Sequence, residues 1–437
     1  MSKHAPGTVY LAGERHRVSD LEPYLYKTTD YGKTWQKITS GIAAPSFTYV
    51  VREDPVRPGL LFAGTETGAY VSFDAGASWQ SLRRNMPPVS VNNMLVKDDD
   101  LVVATAGRGF WILDNISALR QITPAVTSAS AHLFKPEPAI RRAGGRGFFR
   151  EGGRFPGVQY SSGSGMSVAF QDLPGPDGVV RPTYLDGGQN PPAGAVIEYY
   201  LKQVSTEAVT LSIVDAKGQE IRQFSNQTKG GPRLPARAGT NRFLWDMRYP
   251  AARVGDSTVP LPSMSAPRSS PPPALPGRYT ARLTVGSERF EQPLEVRRDP
   301  NTGVTDADLQ AQFDLALQVR EKLSEVNDGV RRVHEAQQKV AKIEQGTSGA
   351  APQVAAVKEK LRTIEDLLTR IPGRNPLYLP PKALDNKLAA FSSQVAGREA
   401  RPTKQMYDVF AYLSQGADDA LRQLAGVIDK DLPALSK

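Results

Sequence analysis

Thr28-Thr29-Asp30-Tyr31-Gly32-Lys33-Thr34-Trp35 and Ser72-Phe73-Asp74-Ala75-Gly76-Ala77-Ser78-Trp79 are two copies of one eight-residue turn. Both read Ser/Thr-x-Asp-x-Gly-x-x-Trp, and the two Trp lie 44 residues apart. That spacing matches a repeat of about 40–45 residues folded as four short strands. The residue types explain the turn. An Asp accepts backbone N–H bonds inside a tight loop, a Gly supplies a backbone angle that other residues resist, and a Trp covers the apolar layer between sheets. Asp30, Gly32, Trp35, Asp74, Gly76 and Trp79 are therefore expected to be structural, with both Trp buried and both carboxylates occupied by backbone donors.

Working outward, a third and degenerate copy follows. Phe62-Ala63-Gly64-Thr65 through Asp74 aligns with Val102-Val103-Ala104-Thr105 through Asp114 at a constant offset of 40 residues. Asp114 keeps the acid, but the Gly and the Trp are gone. Each unit is expected to open with a strand, at residues 8–13, 47–52 and 91–97. Residues 1–122 thus read as three β-propeller blades carrying the Asp-box (BNR) repeat. Three blades make an incomplete ring, since closure takes about four to eight. An open stack leaves unpaired sheet faces. The expectation is that missing blades or a second copy cover them, and that the chain is the last part of a longer protein. In the first blade the loop leading to Tyr26 is seven residues longer than its counterpart. It is dense in charge around Arg15, His16, Asp20 and Glu22, and a loop that grows on a rigid scaffold is a place for function.

The remaining chain divides by composition. The 437 residues suffice for about three domains. Residues 123–164 are rich in Pro, Gly and Arg and read as an irregular, flexible connector containing the basic run Arg141, Arg142, Arg146, Arg150 and Arg154. Residues 165–298 hold about seven short strands with turn signals at Lys217-Gly218 and Gly286-Ser287, the pattern of an Ig-like or fibronectin-like sandwich. A Pro/Ser-rich loop, 260–276, interrupts it. Residues 299–437 are helical. Thr305-Asp306-Ala307-Asp308 resembles a capping box, and Leu309, Phe313, Ala316, Leu323, Val326 and Val330 begin an apolar stripe at spacings of three and four. Breaks at 346–349 and Pro372-Gly373, a short helix near 382–395 and a final long helix complete a helical hairpin or bundle. The fold class is therefore multidomain, β then α.

Composition excludes several functions. No window approaches the ~18 consecutive apolar residues of a membrane span, and Met1-Ser2-Lys3-His4-Ala5-Pro6 is not a signal peptide. The absence of Cys removes disulfides, thiolate metal sites and a Cys nucleophile. The net charge is +9, yet no nucleic-acid recognition motif accompanies it. The four His are scattered, so neither a metal nor a cofactor is expected. A glycosidase needs two carboxylates about 5–9.5 Å apart. Asp20, Glu22 and Glu66 are the candidates, with the Asp98-Asp99-Asp100 run beside them, and nothing in the sequence pairs any two. Arg15, His16 and Arg108 are candidate ligand contacts.

Tyr26 through Trp35, Val51-Arg52-Glu53-Asp54-Pro55, Leu61 through Gly68, Lys97 through Thr105 and Gly107 through Asp114 together resemble the large bacterial sortilin-type BNR-repeat proteins. Gly188-Gln189-Asn190-Pro191-Pro192 and the ending Asp431-Leu432-Pro433-Ala434-Leu435 extend the resemblance through the chain. It implies a C-terminal portion of an exported protein, periplasmic or extracellular, in a family often labelled glycosyl hydrolase. The expected function is a non-catalytic module that binds carbohydrate or protein through the propeller. The alternative is a sialidase- or xyloglucanase-like glycoside hydrolase whose cleft lies largely on other blades.

Overall fold

The computed structural model describes residues 1–142, 157–163, 166–175, 177–178, 180–185, 188, 191, 194–205, 207–229, 232–253, 269–346, 351–369 and 383–435. Sheets occupy the N-terminal part, and a helical region follows from Asp306. Three antiparallel sheets come first. β1 (Val9–Arg15), β2 (Asp20–Thr28) and β3 (Gln36–Lys37) form one, in that order. β4 (Thr48–Glu53), β5 (Leu61–Thr65), β6 (Gly68–Ser72) and β7 (Gln80–Ser81) form the second, also in chain order. β8 (Val91–Lys97), β9 (Asp100–Thr105) and β10 (Phe110–Leu113) form the third. Alternation along these strands sends apolar residues to both faces of the second sheet. Leu25, Ile38, Val51, Leu61 and Trp79 fill the layer toward the first sheet. Val50, Phe62, Val71, Met94, Leu101 and Val103 fill the layer toward the third.

Register identifies the counterparts. Leu11 pairs with Tyr26 as Ala63 pairs with Tyr70. The Ile38 amide donates to the Leu25 carbonyl at 2.8 Å, and the Leu82 amide to the Ala69 carbonyl at 2.8 Å. β1 therefore corresponds to β5 and not to β4. Residues 8–13 do not match the opening strand of the second unit, contrary to the sequence expectation: they match its second strand, and β4 has no counterpart in the first sheet among the described residues. The third sheet in turn lacks the equivalent of β7. After β10 the chain turns at Asn115, with φ 58°, into α1 (Ser117–Gln121). Arg120 of α1 then reaches back to Asp54 at 3.0 Å, to Asp99, and to the Asp98 carbonyl at 2.8 Å. Asp54 is 0 % exposed and also accepts the Val56 and Arg57 amides at 2.8 and 2.6 Å. Arg120 of α1 so links buried Asp54, just after β4 of the second sheet, to the β8–β9 turn of the third.

The connector expected at 123–164 is only partly irregular. α2 (Pro124–Ser128) is capped by the Thr123 side chain. β11 (Ala131–Leu133) and β12 (Ala139–Arg141) each join a sheet. Strands of three residues are too short to show alternation, which is why composition suggested a linker. Arg146, Arg150 and Arg154 lie outside the described residues, as do residues 260–268 of the Pro/Ser loop. β13 (Val158–Gly163), β14 (Met166–Pro174) and β15 (Val180–Tyr184) make a small separate sheet. β16 (Ala195–Leu201), β17 (Val209–Val214), β18 (Glu220–Ser225), β19 (Gly239–Trp245), β20 (Gly277–Val285) and β21 (Glu288–Arg298) complete two more. Their orders are β11-β16-β19 and β12-β21-β20-β17-β18, with β12 parallel to β21. Ile197, Tyr199, Phe243 and Trp245 of the smaller sheet share one core with Leu211 and Leu283 of the larger.

α3 (Asp306–Gly346), α4 (Ala351–Leu368), α5 (Leu384–Ala396) and α6 (Lys404–Gly426) share a second core. The Thr305 hydroxyl accepts the Asp308 amide at 3.2 Å while the Asp308 carboxylate accepts the Thr305 amide at 3.1 Å, the reciprocal bonds of a capping box. The expected break at Pro372-Gly373 lies outside the described residues. Buried Arg141 at the end of β12 ties the helices to the sheets. It donates to the Ala274 carbonyl at 2.9 Å and to Gln312 of α3 at 2.7 Å, and pairs with Glu399 at 3.0 Å. No helix among the described residues is long and apolar enough to cross a membrane.

Candidate functional site

The two turn copies behave alike at their acids and differently at their Trp. Asp30 accepts the Thr34 amide at 2.9 Å, the Thr34 hydroxyl at 2.7 Å and the Thr28 hydroxyl at 2.8 Å. The Thr34 hydroxyl, then its amide, hold the Asp30 carboxyl down at about 2. Asp74 accepts the same three groups from Ser78 and Ser72, at 2.9, 2.5 and 2.7 Å. Burial pushes the Asp74 carboxyl up, but the Ser78 and Ser72 bonds together bring it below the usual range. Gly32 and Gly76 sit at φ 86° and 91°, and a Cβ on Gly76 would stand 2.5 Å from Ile38 Cδ1. Trp79 is 3 % exposed and its indole donates to the Ile38 carbonyl of the first sheet at 2.7 Å. Trp35 is not buried as expected. It is 43 % exposed and donates to Gly32 of its own turn at 3.1 Å, because among the described residues no sheet packs on its side of the first one.

Asp114 shows what the degenerate copy lost. Positions two before and four after the acid are Thr28 and Thr34, then Ser72 and Ser78, but Ile112 and Ala118 in the third copy. Without those hydroxyls, burial and the charge of Asp100 push the Asp114 carboxyl up. Leu119 stands where the Trp would be.

Of the sequence candidates, Arg15 and His16 lie at and just after the end of β1, Asp20 and Glu22 at the start of β2, and Glu66 in the β5–β6 turn. Arg15 lies 3.3 Å from Asp20, which also accepts the Tyr24 hydroxyl at 2.6 Å and the Glu22 amide at 3.1 Å. The Tyr24 hydroxyl, then the Glu22 amide, hold the Asp20 carboxyl low. Glu22 is exposed at the start of β2. His16 stacks on Phe47, centroids 4.7 Å apart, with Nδ1 3.0 Å from Glu14. Phe47 meets Tyr49 edge-on at 5.2 Å. The Tyr49 hydroxyl donates to Glu66 at 2.8 Å, and the Ser90 hydroxyl donates to the same oxygen at 2.6 Å. Burial first, and Glu66 second, push the Tyr49 phenol up to about 12.

The result is a track from exposed Glu14 through half-buried His16 and buried Phe47 to half-buried Tyr49, Glu66 and Ser90, with the Arg15–Asp20–Tyr24 group beside it. Lys37 extends the second group, its ammonium 4.8 Å from the Tyr24 ring. Arg108 is not part of either: its carbonyl accepts the Trp111 indole at 3.1 Å in the β9–β10 turn. The residues that sequence inspection missed are Glu14, Phe47, Tyr49 and Ser90. The alternation of Phe47 and Tyr49 at the start of β4 was the available signal. Asp98, Asp99 and Asp100 are engaged by Lys97, Arg120 and the Asn115 amide. No group of three or more metal-ligating side chains is placed to hold an ion among the described residues.

No protein-family model and no curated protein match the chain. Among solved structures, it has weak similarity to an ancestral GH74 enzyme, at 11 % identity and a TM-score of 0.21, over 68 % of this chain and 45 % of that one. It is also weakly similar to the extracellular domain of a hybrid two-component system from B. thetaiotaomicron, at 8 % identity and a TM-score of 0.18, over 63 % of this chain and 28 % of that one. The chain thus spans less than half the length of either structure.

Proposed function

We propose that the chain is a non-catalytic interaction module. Its first three sheets are Asp-box propeller blades, its middle sheets an Ig-like sandwich and its last helices a supporting bundle, the whole belonging to an exported sortilin-type repeat protein. The observation that carries this is the state of the candidate acids. A glycosidase needs one carboxyl kept protonated as the acid and another free to act across a cleft. Asp20 is held ionised by Tyr24 and Glu22, and Glu66 is taken up by two hydroxyls. Tyr49 is held as a phenol, so it offers no phenolate nucleophile. Asp30 and Asp74 are structural in this reading, since turn donors occupy them. What the aromatic track does offer is a surface with hydroxyls and acids for carbohydrate or protein contact.

The test is a panel of aryl-glycosides, sialosides and β-glucans with the purified chain and its Asp20→Asn/Glu22→Gln and Glu66→Gln variants. No turnover by any of them is expected. Turnover by the parent that vanishes in a variant would replace this reading with the glycoside hydrolase.

A further inference from the structure

β21 has two unlike faces. Leu294 and Val296 are buried in the core that the two middle sheets share. By alternation Pro293, Glu295 and Arg297 point to the outer face, and Arg278 of β20, opposite Glu295 in register, lies on the same side. This outer face lines a pocket of about 400 Å³ together with Lys135-Pro136-Glu137-Pro138, the segment joining β11 to β12, and with Gln121, the last residue of α1. That volume falls in the range of about 300–1,000 Å³ that holds small molecules.

The segment from Lys135 to Pro138 is a fixed wall. The Lys135 amide donates to Gln121 Oε1 at 2.9 Å, and Gln121 Nε2 donates to the Lys135 carbonyl at 3.1 Å. Pro136 and Pro138 set φ on either side of Glu137, and the next residue, Ala139, pairs with Val296. The charges along the pocket are unevenly satisfied. Glu295 accepts the Arg297 guanidinium at 2.9 Å. Among the described residues, neither the Arg278 guanidinium nor the Lys135 ammonium makes a hydrogen bond or an ion pair. The Glu137 carboxyl accepts no hydrogen bond there either. Burial first, and the charge of Asp99 second, push it up, so it opposes an arriving anion less than an ordinary glutamate does.

The neutral hydrogen-bonding side chain in the lining is already occupied. Both ends of the Gln121 amide meet the Lys135 backbone, and its nitrogen also donates to the Ser117 carbonyl at 3.2 Å. Between the charges lie the ring faces of Pro136, Pro138 and Pro293. Sugar hydroxyls would find no free neutral partner on this surface, whereas an apolar ring would find contact.

We propose that this pocket binds a small organic anion, a carboxylate carried on an apolar ring, with the carboxylate held by Arg278 and Lys135 and the ring against the prolines. The Arg278 fork matches the two carboxylate oxygens, and Lys135 adds a point charge from the opposite wall. The pocket shares no residue with the aromatic track, so each reading stands or falls by itself.

The test titrates the full chain with cyclohexanecarboxylate by isothermal calorimetry. Saturable binding is expected, with slowed hydrogen exchange in residues 133–138. Arg278→Gln is expected to weaken binding about tenfold and Lys135→Gln about threefold. Both side chains are exposed, and unchanged exchange in β16 to β21 checks that each variant is folded. Glu137→Gln is expected to tighten binding about threefold, because a like charge leaves the pocket. Cyclohexylmethanol keeps the ring without the charge, acetate keeps the charge without the ring, and glucuronate replaces the apolar ring by a sugar. Each is expected to bind at least about tenfold more weakly. No saturable binding, or binding left intact in both cation variants, overturns the proposal. Equal binding of cyclohexylmethanol overturns the anionic ligand, equal binding of acetate overturns the apolar body, and equal binding of glucuronate overturns it in favour of an acidic sugar.

Discussion

Trp35 and Trp79 occupy the same position of the same turn, and their removal should cost very different amounts. Trp79 is nearly buried, packs with Leu25, Ile38 and Leu61, and satisfies the Ile38 carbonyl. Trp79→Ala loses a large buried side chain, about 3–5 kcal/mol, and leaves a buried carbonyl without its donor, about 1 kcal/mol more. Trp35 stands half in solvent, and its one hydrogen bond closes its own turn. Trp35→Ala forfeits only partial apolar burial, about 1–2 kcal/mol. The expected gap is therefore about 2–5 kcal/mol. Global denaturation would blur three regions, so the assay is native-state hydrogen exchange read separately on peptides from β4 to β6. Trp79→Phe adds an internal control. It keeps most of the packing and drops the indole donor, so its cost should fall nearer the hydrogen-bond figure. Equal loss of protection from Trp35→Ala and Trp79→Ala would refute the claim that only the second turn locks two sheets together.

Three further outcomes are expected. Arg120→Met leaves Asp54 buried with only two backbone amides, which should lower the stability of the second and third sheets by about 3 kcal/mol, read by the same exchange experiment with Asp99→Asn as the milder partner variant. Arg141→Met strands Glu399 at the sheet–helix junction, so the first turns of α3 should exchange faster while β4 to β6 stay unchanged. Asp30, held at about 2 by the Thr34 hydroxyl and amide, contributes stability that is fully present above the ordinary carboxylate value and lost as pH falls from 3.8 through about 2. The melting temperature of Asp30→Asn should accordingly depend less on pH across that window than the parent's.

Much of the β region was legible because its signals are local. The two Ser/Thr-x-Asp-x-Gly-x-x-Trp turns, the β17–β18 and β20–β21 hairpins and the capping box at Thr305 each depend on residues a few positions apart. What failed depends on partners far along the chain. β11 and β12 are recognisable only through β16 and β21, which pair with them across 66 to 157 residues, as in Leu133–Tyr199 and Ala139–Val296. Trp35 failed for the same reason: its motif is local, but its burial belongs to a neighbouring sheet. At the site, the loop charges Arg15, His16 and Asp20 were visible as a cluster. Tyr49 and Ser90 became members only when β4 and β8 placed them against Glu66.

The degenerate third turn shows how few atoms decide between a structural acid and a perturbed one. Asp30 and Asp114 share a motif position and a strand–turn setting. Asp30 has hydroxyls two residues before and four after it, and its charge is satisfied inside eight residues. Asp114 has Ile112 and Ala118 there, and its carboxyl is raised by burial and by Asp100. The chain meets that loss by another route. It abandons the fourth strand, enters α1, and lets Arg120 gather Asp54, Asp99 and the Asp98 carbonyl. A long-range buried ion pair thus fastens the third sheet, where a short-range turn with its Trp fastens the second. Trp111 and Leu113 pack toward the second sheet, while Phe110 and Ile112 on the opposite face of β10 are 78 % and 57 % exposed.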